Sequence, residues 1–367
     1  MRIVYDYQIM LEQRYGGVSR CFCELAVRLK KMYRDKVSIV AIGSKNYYLE
    51  ELMGHKAIDF GQSQFGYAVK DKFIRINQLI VKKSCAIGRV DILHSTWYSP
   101  YLLEIDNCKQ VITIHDMIQE KIPEYKEGKN LVKLKRRLME KADKIIAVSA
   151  HTKQDILELY PEIPEKKIEV VYNGGCIKFI PSTCKYQLPD KYILYVGARG
   201  NYKNFRNLVK AMKLLMEKYE DIFLICAGGG AFTPAEKRMM GNIYKKSRQI
   251  NADDKDLAYL YHHAIEFIFP SKYEGFGIPI IEAFSCYCPV VLSNASCFPE
   301  IAGDAALYFE PDDVNDMMEK MERFIIEKEL RDNYIAKGRR RARLFTWERN
   351  ARKMHQIYLD MMALEKK

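Results

Sequence analysis

Apolar residues along the chain follow two alternating patterns: short unbroken runs, and longer stretches in which they return every three or four positions. The runs predict strands at residues 2–6, 37–42, 90–94, 110–115, 144–148 and 168–172, and the stretches predict helices at 18–29, 131–141 and 152–159. Such strands, apolar on both faces, belong in a parallel sheet covered by helices on each side. Asn173-Gly174-Gly175 ends this half, and a polar, proline-containing stretch to Pro189-Asp190 reads as a linker. The alternation then restarts, with strands expected at 192–196, 222–226, 265–269, 290–293 and 305–309, and helices at 204–218, 234–246 and 255–262. From Val314 onward the pattern is entirely helical.

The fold class expected from this order is α/β, with two Rossmann-like domains at 1–175 and 191–345, a linker at 176–190 and a closing helix at 346–367. Two such halves facing each other across a cleft would suit a reaction of two substrates. At 367 residues the chain exceeds one ordinary core, and 48% hydrophobic with 29% charged residues is the composition of a soluble globular protein. The ten cysteines lack zinc spacing and read as reduced core residues. No signal-peptide pattern opens the chain, and no apolar run approaches the ~20 residues that span a bilayer, so a cytoplasmic location is expected. The net charge of +12 gathers at 70–89, 126–144 and 337–343. Residues 131–139 read as a basic amphipathic helix, which favours weak contact with an anionic membrane, peripheral at the inner face. No nucleic-acid module accompanies the charge, and no nucleic-acid partner is expected.

The densest chemistry lies at residues 271–282, where Glu274 and Glu282 stand eight positions apart around Gly275, Gly277 and Pro279. The preceding apolar run places Glu274 at a strand's carboxyl end, and the spacing places Glu282 about two turns on, on a similar helix face. Carboxyl ends of strands in open α/β sheets are where ligands bind. Glycines there let backbone N–H groups approach, a helix N-terminus favours phosphate, and two carboxylates accept hydrogen bonds from hydroxyls. That combination suits a sugar nucleotide.

Other positions share this placement. Gly16-Gly17 precede a helix but lack the full dinucleotide fingerprint. His115-Asp116 end a strongly apolar strand, where a capping pair and a reactive imidazole are equally good readings. Arg199 and Lys203 frame a glycine-containing loop before a helix, and two cations there could neutralise a diphosphate. Asp253-Asp254 and Asp312-Asp313 precede helices as caps, and no metal site is indicated.

These segments resemble glycosyltransferase family 4, of GT-B fold. The resemblance is carried by Gly16-Gly17-Val18, Thr113-Ile-His-Asp116, Val148-Ser-Ala-His-Thr152, Tyr195-Val-Gly-Ala-Arg199, Tyr202-Lys-Asn204, Phe269-Pro-Ser-Lys-Tyr-Glu-Gly-Phe-Gly-Ile-Pro279, Glu282-Ala283, Pro289-Val-Val291 and the block from Phe298 to Phe309. Bacterial enzymes of O-antigen, capsule and exopolysaccharide synthesis, many of them mannosyltransferases, are the most similar kind. The resemblance implies a retaining, metal-independent hexosyltransferase with no cofactor. It would take a hexose, mannose first, from a GDP-sugar or UDP-sugar to a glycan or lipid-linked oligosaccharide acceptor. It implies Glu282 on the ribose, Glu274 on the donor sugar and Arg199 with Lys203 on the diphosphate. The backbone around Gly275, Phe276, Gly277 and Ile278 would orient the donor, Gly16 and Gly17 would border diphosphate and acceptor, and His115 would stand beside the sugar. The last helix would cross back to the N-terminal domain, which would bind the acceptor. Tyr287 replaces the family's usual glycine after the second glutamate's helix, and a positive φ there would strain it. Other readings remain: a non-catalytic nucleotide-sugar or nucleic-acid binding protein, or another GT-B enzyme such as a sugar-nucleotide epimerase.

Overall fold

The apolar runs of the first half form β1 (Arg2–Tyr5), β2 (Lys36–Ile39), β3 (Ile92–Ser95), β4 (Lys109–Ile114), β5 (Lys144–Ala147) and β6 (Ile168–Val170). The computed structural model describes residues 1–56, 64–122, 124, 129–175, 177 and 180–363. It separates into two compact units, one of Met1–Gly174 with Trp347–Lys367 and one of Gly175–Thr346. In the first unit the sheet order is β2-β1-β3-β4-β5-β6, and each neighbouring pair is parallel. The chain moves outward from β1 to β2 and then returns to β3 on β1's other side, so the winding reverses between β1 and β3.

The second unit repeats the plan with β7 (Tyr192–Val196), β8 (Phe223–Ala227), β9 (Ser247–Ile250), β10 (Glu266–Phe269), β11 (Val290–Ser293) and β12 (Leu307–Phe309). Their order is β12-β11-β10-β7-β8-β9, all parallel, and the winding reverses between β7 and β10. Helix Phe205–Lys218 shows how its core forms: Phe205, Leu208, Val209, Met212, Leu215 and Met216 return at helical spacing and are all buried. Each such side chain contributes roughly 1.5–3 kcal/mol on burial.

Helix Trp347–Ala363 packs in the first unit against helix Gly17–Tyr33. The Tyr358 hydroxyl lies 3.2 Å from that of Tyr5 and 2.6 Å from His94 Nδ1, and His355 stacks on Tyr33 and meets Asp35 at 2.8 Å. Gly174 makes this approach possible, since a Cβ there would lie 2.5 Å from the Trp347 backbone nitrogen.

Several expected elements differ. The helix expected at 234–246 stops at Met240, where Gly241 takes φ +59°, and continues as a 3-10 segment, Gly241–Lys246. The helical tail breaks at Glu327 and again at 343–346, and the strand expected from 305 begins at Leu307. Unforeseen are β9, helix Tyr47–Met53 and helix Gln64–Ala86. β9 is an edge strand with Arg248 and Gln249 at its centre, so no apolar run announced it. Of the expected linker, residues 176, 178 and 179 lie outside the described residues, as do 126–128 of the middle basic cluster.

Candidate active site

The two switch points bring together loops that are distant in sequence. In the second unit, the loop after β7 ends in the 3-10 turn Asn201–Lys203, and the loop after β10 runs through residues 270–277. The Lys272 N–H donates to the Tyr202 carbonyl at 2.8 Å, and Lys203 Nζ reaches Glu274 Oε1 at 2.5 Å. The pair is mostly buried, with 15% and 13% of the side chains exposed. Burial works against the Lys203 charge, but the Glu274 carboxylate and hydrogen bonds to it and to Tyr202 outweigh burial and hold the ammonium above the ordinary lysine value. Ser296 Oγ accepts from the Glu274 N–H at 3.0 Å and fixes the loop from beneath.

Helix Ile278–Ser285 begins on Gly277, which has φ +86° and whose added Cβ would lie 2.9 Å from Ile280 Cδ1, so only glycine serves. Pro279 in the first turn has no N–H to lose. Glu282 lies one turn into this helix, 5% exposed, with the Tyr261 hydroxyl 3.4 Å from its Oε2. Glu274 is not on the helix at all. The two glutamates are therefore not a same-face helical pair, as their spacing suggested, but one loop carboxylate and one buried helical carboxylate at the same switch point. Gly275 and Phe276 join them, with Phe276 buried against Phe345. The Ser271 hydroxyl nearby is buried without a partner among the described residues.

Arg199 departs from the expected arrangement. Its Nε donates to Glu236 Oε1 at 2.6 Å, and its terminal nitrogens donate to the carbonyls of Gly228, Gly229, Gly230 and Ala231 at 2.8–3.2 Å. The side chain is 2% exposed and lies over the Phe232 ring at 4.8 Å. Its donors are committed to holding the glycine turn after β8. Burial raises the Glu236 pKa, but hydrogen bonds from Arg199 and the Thr233 cap prevail and leave it below the ordinary glutamate value.

In the first unit, His115 follows β4 directly and packs edge-on to Phe22 and near-parallel to Trp97, with centroids 5.9 and 6.0 Å away. Burial, helped by the Lys135 charge, pushes its pKa down to about 3, so the imidazole is neutral at physiological pH. Its Nε2 is buried without a partner among the described residues. Gly16 caps helix Gly17–Tyr33 in extended backbone, and the Gln13 side-chain oxygen accepts from the Ser19 N–H at 3.3 Å. A side-chain amide therefore occupies the helix start where an anion was expected. The residue composition left Trp97 and Asp6 unremarked. Trp97 is one of two tryptophans and lies two residues past the end of β3, the signal that could have found it.

Among the described residues no helix is long and apolar enough to cross a membrane, and no three His, Cys, Asp or Glu side chains converge as metal ligands. The Asp253 and Asp313 side chains cap helices through backbone N–H groups.

The family model for group 1 glycosyl transferases matches residues 185–341, and that for glycosyltransferase family 4 matches residues 15–174. The O-antigen chain mannosyltransferase B of Escherichia coli is 32% identical over 69% of this chain and 69% of its own. The O-antigen chain mannosyltransferase RfbU of Salmonella typhimurium is 28% identical over 56% of this chain and 57% of its own, little more than half its length. The sucrose-phosphate synthase structure from Thermosynechococcus elongatus superposes with a TM-score of 0.75 at 18% identity, covering 99% of this chain and all of that one. With both family models matching in sequence order, and two parallel switch-point sheets beneath them, the chain belongs to glycosyltransferase family 4 and is a glycosyltransferase of GT-B fold.

Proposed function

We propose that the protein transfers a hexose, mannose first, from a GDP-sugar or UDP-sugar to a glycan or lipid-linked glycan, with retention and without a metal ion. The observation that carries this reading is the Lys203–Glu274 pair at the β7/β10 switch point, beside the Gly277 helix start. An ammonium has three donors, and Glu274 and Tyr202 engage two, so Lys203 can bridge that carboxylate and a diphosphate oxygen with the third. Glu274 keeps an oxygen for a sugar hydroxyl, and Glu282 is assigned to the ribose hydroxyls. A preorganised cation and helix terminus stabilise the departing diphosphate, commonly the largest catalytic contribution. The bond from the anomeric carbon to phosphate breaks, a bond to the acceptor oxygen forms on the same face, and the acceptor proton passes to the leaving phosphate. His115 is assigned a hydrogen bond to the transferring sugar, since its neutral Nε2 lacks a partner among the described residues. Arg199 acts as a positioning residue for the 228–231 turn rather than as a free phosphate ligand. Peripheral membrane contact belongs to the same reading.

The test is thermal stabilisation by GDP-mannose, UDP-glucose and their diphosphates, followed by transfer assays on Lys203→Met and Glu274→Gln. Lys203→Met is expected to weaken diphosphate binding by about 2 kcal/mol, roughly thirtyfold. Glu274→Gln is expected to bind diphosphate normally while losing transfer. Wild-type transfer rates in both variants would remove the assignment.

A further inference from the structure

The proposed transfer uses the carboxyl ends of the strands and leaves the opposite end of the first sheet without a role. Cys85 stands in the last turn of helix Gln64–Ala86, and Cys108 directly precedes β4, at the end away from His115. Their sulfurs lie 3.4 Å apart, and the Cys108 thiol donates to Cys85 Sγ. The same two segments meet again one turn earlier, where Lys82 Nζ reaches Glu104 Oε2 at 2.5 Å beside the wholly buried Val81. The contact between the sulfurs is therefore held by the packing of the helix and not by the two side chains alone.

Nine of the ten cysteines are described, and the pair differs from the other seven. In those seven, burial pushes the thiol up, so each stays protonated at neutral pH. In the pair, the hydrogen bond from Cys108 outweighs burial and holds the Cys85 thiol below its ordinary value, while Cys108, as the donor, is raised. The two sulfurs thus ionise as one unit, with the remaining proton between them. Access divides them further. Cys85 is 1% exposed and can reach only its partner, whereas Cys108 is half-buried and follows the exposed Asp106 and Asn107. Bonding requires the sulfurs to close by about 1.4 Å. Cys108 lies outside the β3–β4 ladder and Cys85 stands at a helix end, so a shift of that size breaks no strand pairing.

We propose that Cys85 and Cys108 form a reversible thiol–disulfide site whose reactant is a small-molecule disulfide, RSSR. The shared proton moves to Cys85, and the Cys108 thiolate attacks RSSR, forming a Cys108–S–S–R bond and releasing RS⁻. That RS⁻ takes the Cys85 proton and departs as RSH. The Cys85 thiolate then attacks Cys108 Sγ, the bond to R breaks, and a second RS⁻ leaves and is protonated by water. Two thiols are oxidised by two electrons, and RSSR is reduced to two RSH. Cys108 is the entry point and Cys85 the resolving residue. The product ties helix Gln64–Ala86 to the start of β4 and closes the loop from 85 to 108, which carries β3.

The experiment incubates the full chain, reduced and then freed of reductant, with oxidised glutathione. Intact mass and peptide mapping after alkylation assign each cysteine. The wild type is expected to form the 85–108 disulfide and retain no glutathione. It should then melt roughly 5 °C above the reduced chain, because closing the loop restricts the unfolded state. Dithiothreitol should restore the reduced mass and the lower melting temperature. Cys85→Ser is expected to keep one glutathione on Cys108, since the resolving thiol is gone, and Cys108→Ser to take up none at Cys85. A wild type that retains glutathione at Cys108, or that leaves both thiols open to alkylation, overturns the proposal. A glutathione adduct on Cys85 in Cys108→Ser overturns it equally, because Cys85 would then be reached without its partner.

Discussion

Single residues here take their chemistry from their partners rather than from their type. Arg199 and Lys203 look equivalent in sequence, yet Arg199 spends its donors on four carbonyls and Glu236, whereas Lys203 keeps one donor beside Glu274 and Tyr202. Only the fold could separate them, because the Arg199 partners come from about thirty residues downstream. Glu266 is a clearer case. It opens β10 fully buried, and both of its oxygens lack partners among the described residues. Burial raises its pKa well above the ordinary glutamate value, so the folded chain holds a proton that the unfolded chain releases above pH ~4.5. The folded state therefore binds more protons than the unfolded one, and stability falls as pH rises from there, by about 1.4 kcal/mol per pH unit until the folded-state pKa is reached. Glu266→Gln is expected to stabilise the protein at pH 7 by a margin that shrinks toward pH 5. Chemical denaturation of both proteins at the two pH values reads this directly, and a margin independent of pH would refute it.

At the scale of elements, the apolar periodicity located strands and helices well wherever burial alone decided them. It failed at the edge strand β9, whose central residues are polar, and at helix Gln64–Ala86, whose charges masked its stripe. The turn after helix Ile278–Ser285 tests local chemistry most sharply. Tyr287 takes φ +62°, with the Cys288 N–H donating back to the Ala283 carbonyl at 3.0 Å, a helix end that ordinarily uses glycine. The left-handed conformation costs about 1–2 kcal/mol for a side-chain residue. The ring recovers part of this, because Arg339 lies over it at 4.4 Å, a contact of roughly 0.5–1 kcal/mol. Tyr287→Gly removes both effects and is expected to change stability by less than about 1 kcal/mol. Tyr287→Val keeps the strain and loses the ring, and should unfold at a lower urea concentration than either. Equal midpoints for the valine and glycine variants would show that backbone strain is unimportant here.

At the scale of the whole molecule, the net charge of +12 is not spread as the sequence suggested. In the expected membrane helix, now Lys129–Lys141, Lys135 is wholly buried against Glu120 at 3.0 Å, Arg136 pairs with Glu140 and Glu162, and Lys141 pairs with Asp106. Arg341 of the last cluster is tied to the carbonyls of Glu300 and Ile301. On and just after helix Gln64–Ala86, by contrast, Lys72, Arg75, Lys83 and Arg89 make no ion pair among the described residues, and Leu79 and Ile87 are 52% and 62% exposed among them. Membrane contact, if it follows charge and exposed apolar surface, runs through this face, at about 1 kcal/mol for each basic residue near an anionic surface. Changing these four residues to Gln is expected to abolish co-sedimentation with phosphatidylglycerol vesicles, while Lys133→Gln with Arg137→Gln leaves it intact; the reverse result would return the contact to the helix first expected. By itself the sequence determined the two α/β repeats, the glycines at the helix starts and the identity of the family, because apolar period and φ-restricted turns are local properties. Which of the basic and acidic side chains remain available to a ligand, and that Trp97 shares a cavity with Gln8 and Gln78, was decided only by the tertiary structure. Parallel crossovers bring loops ninety residues apart to one switch point, and pairing across that distance leaves no periodic trace in the chain.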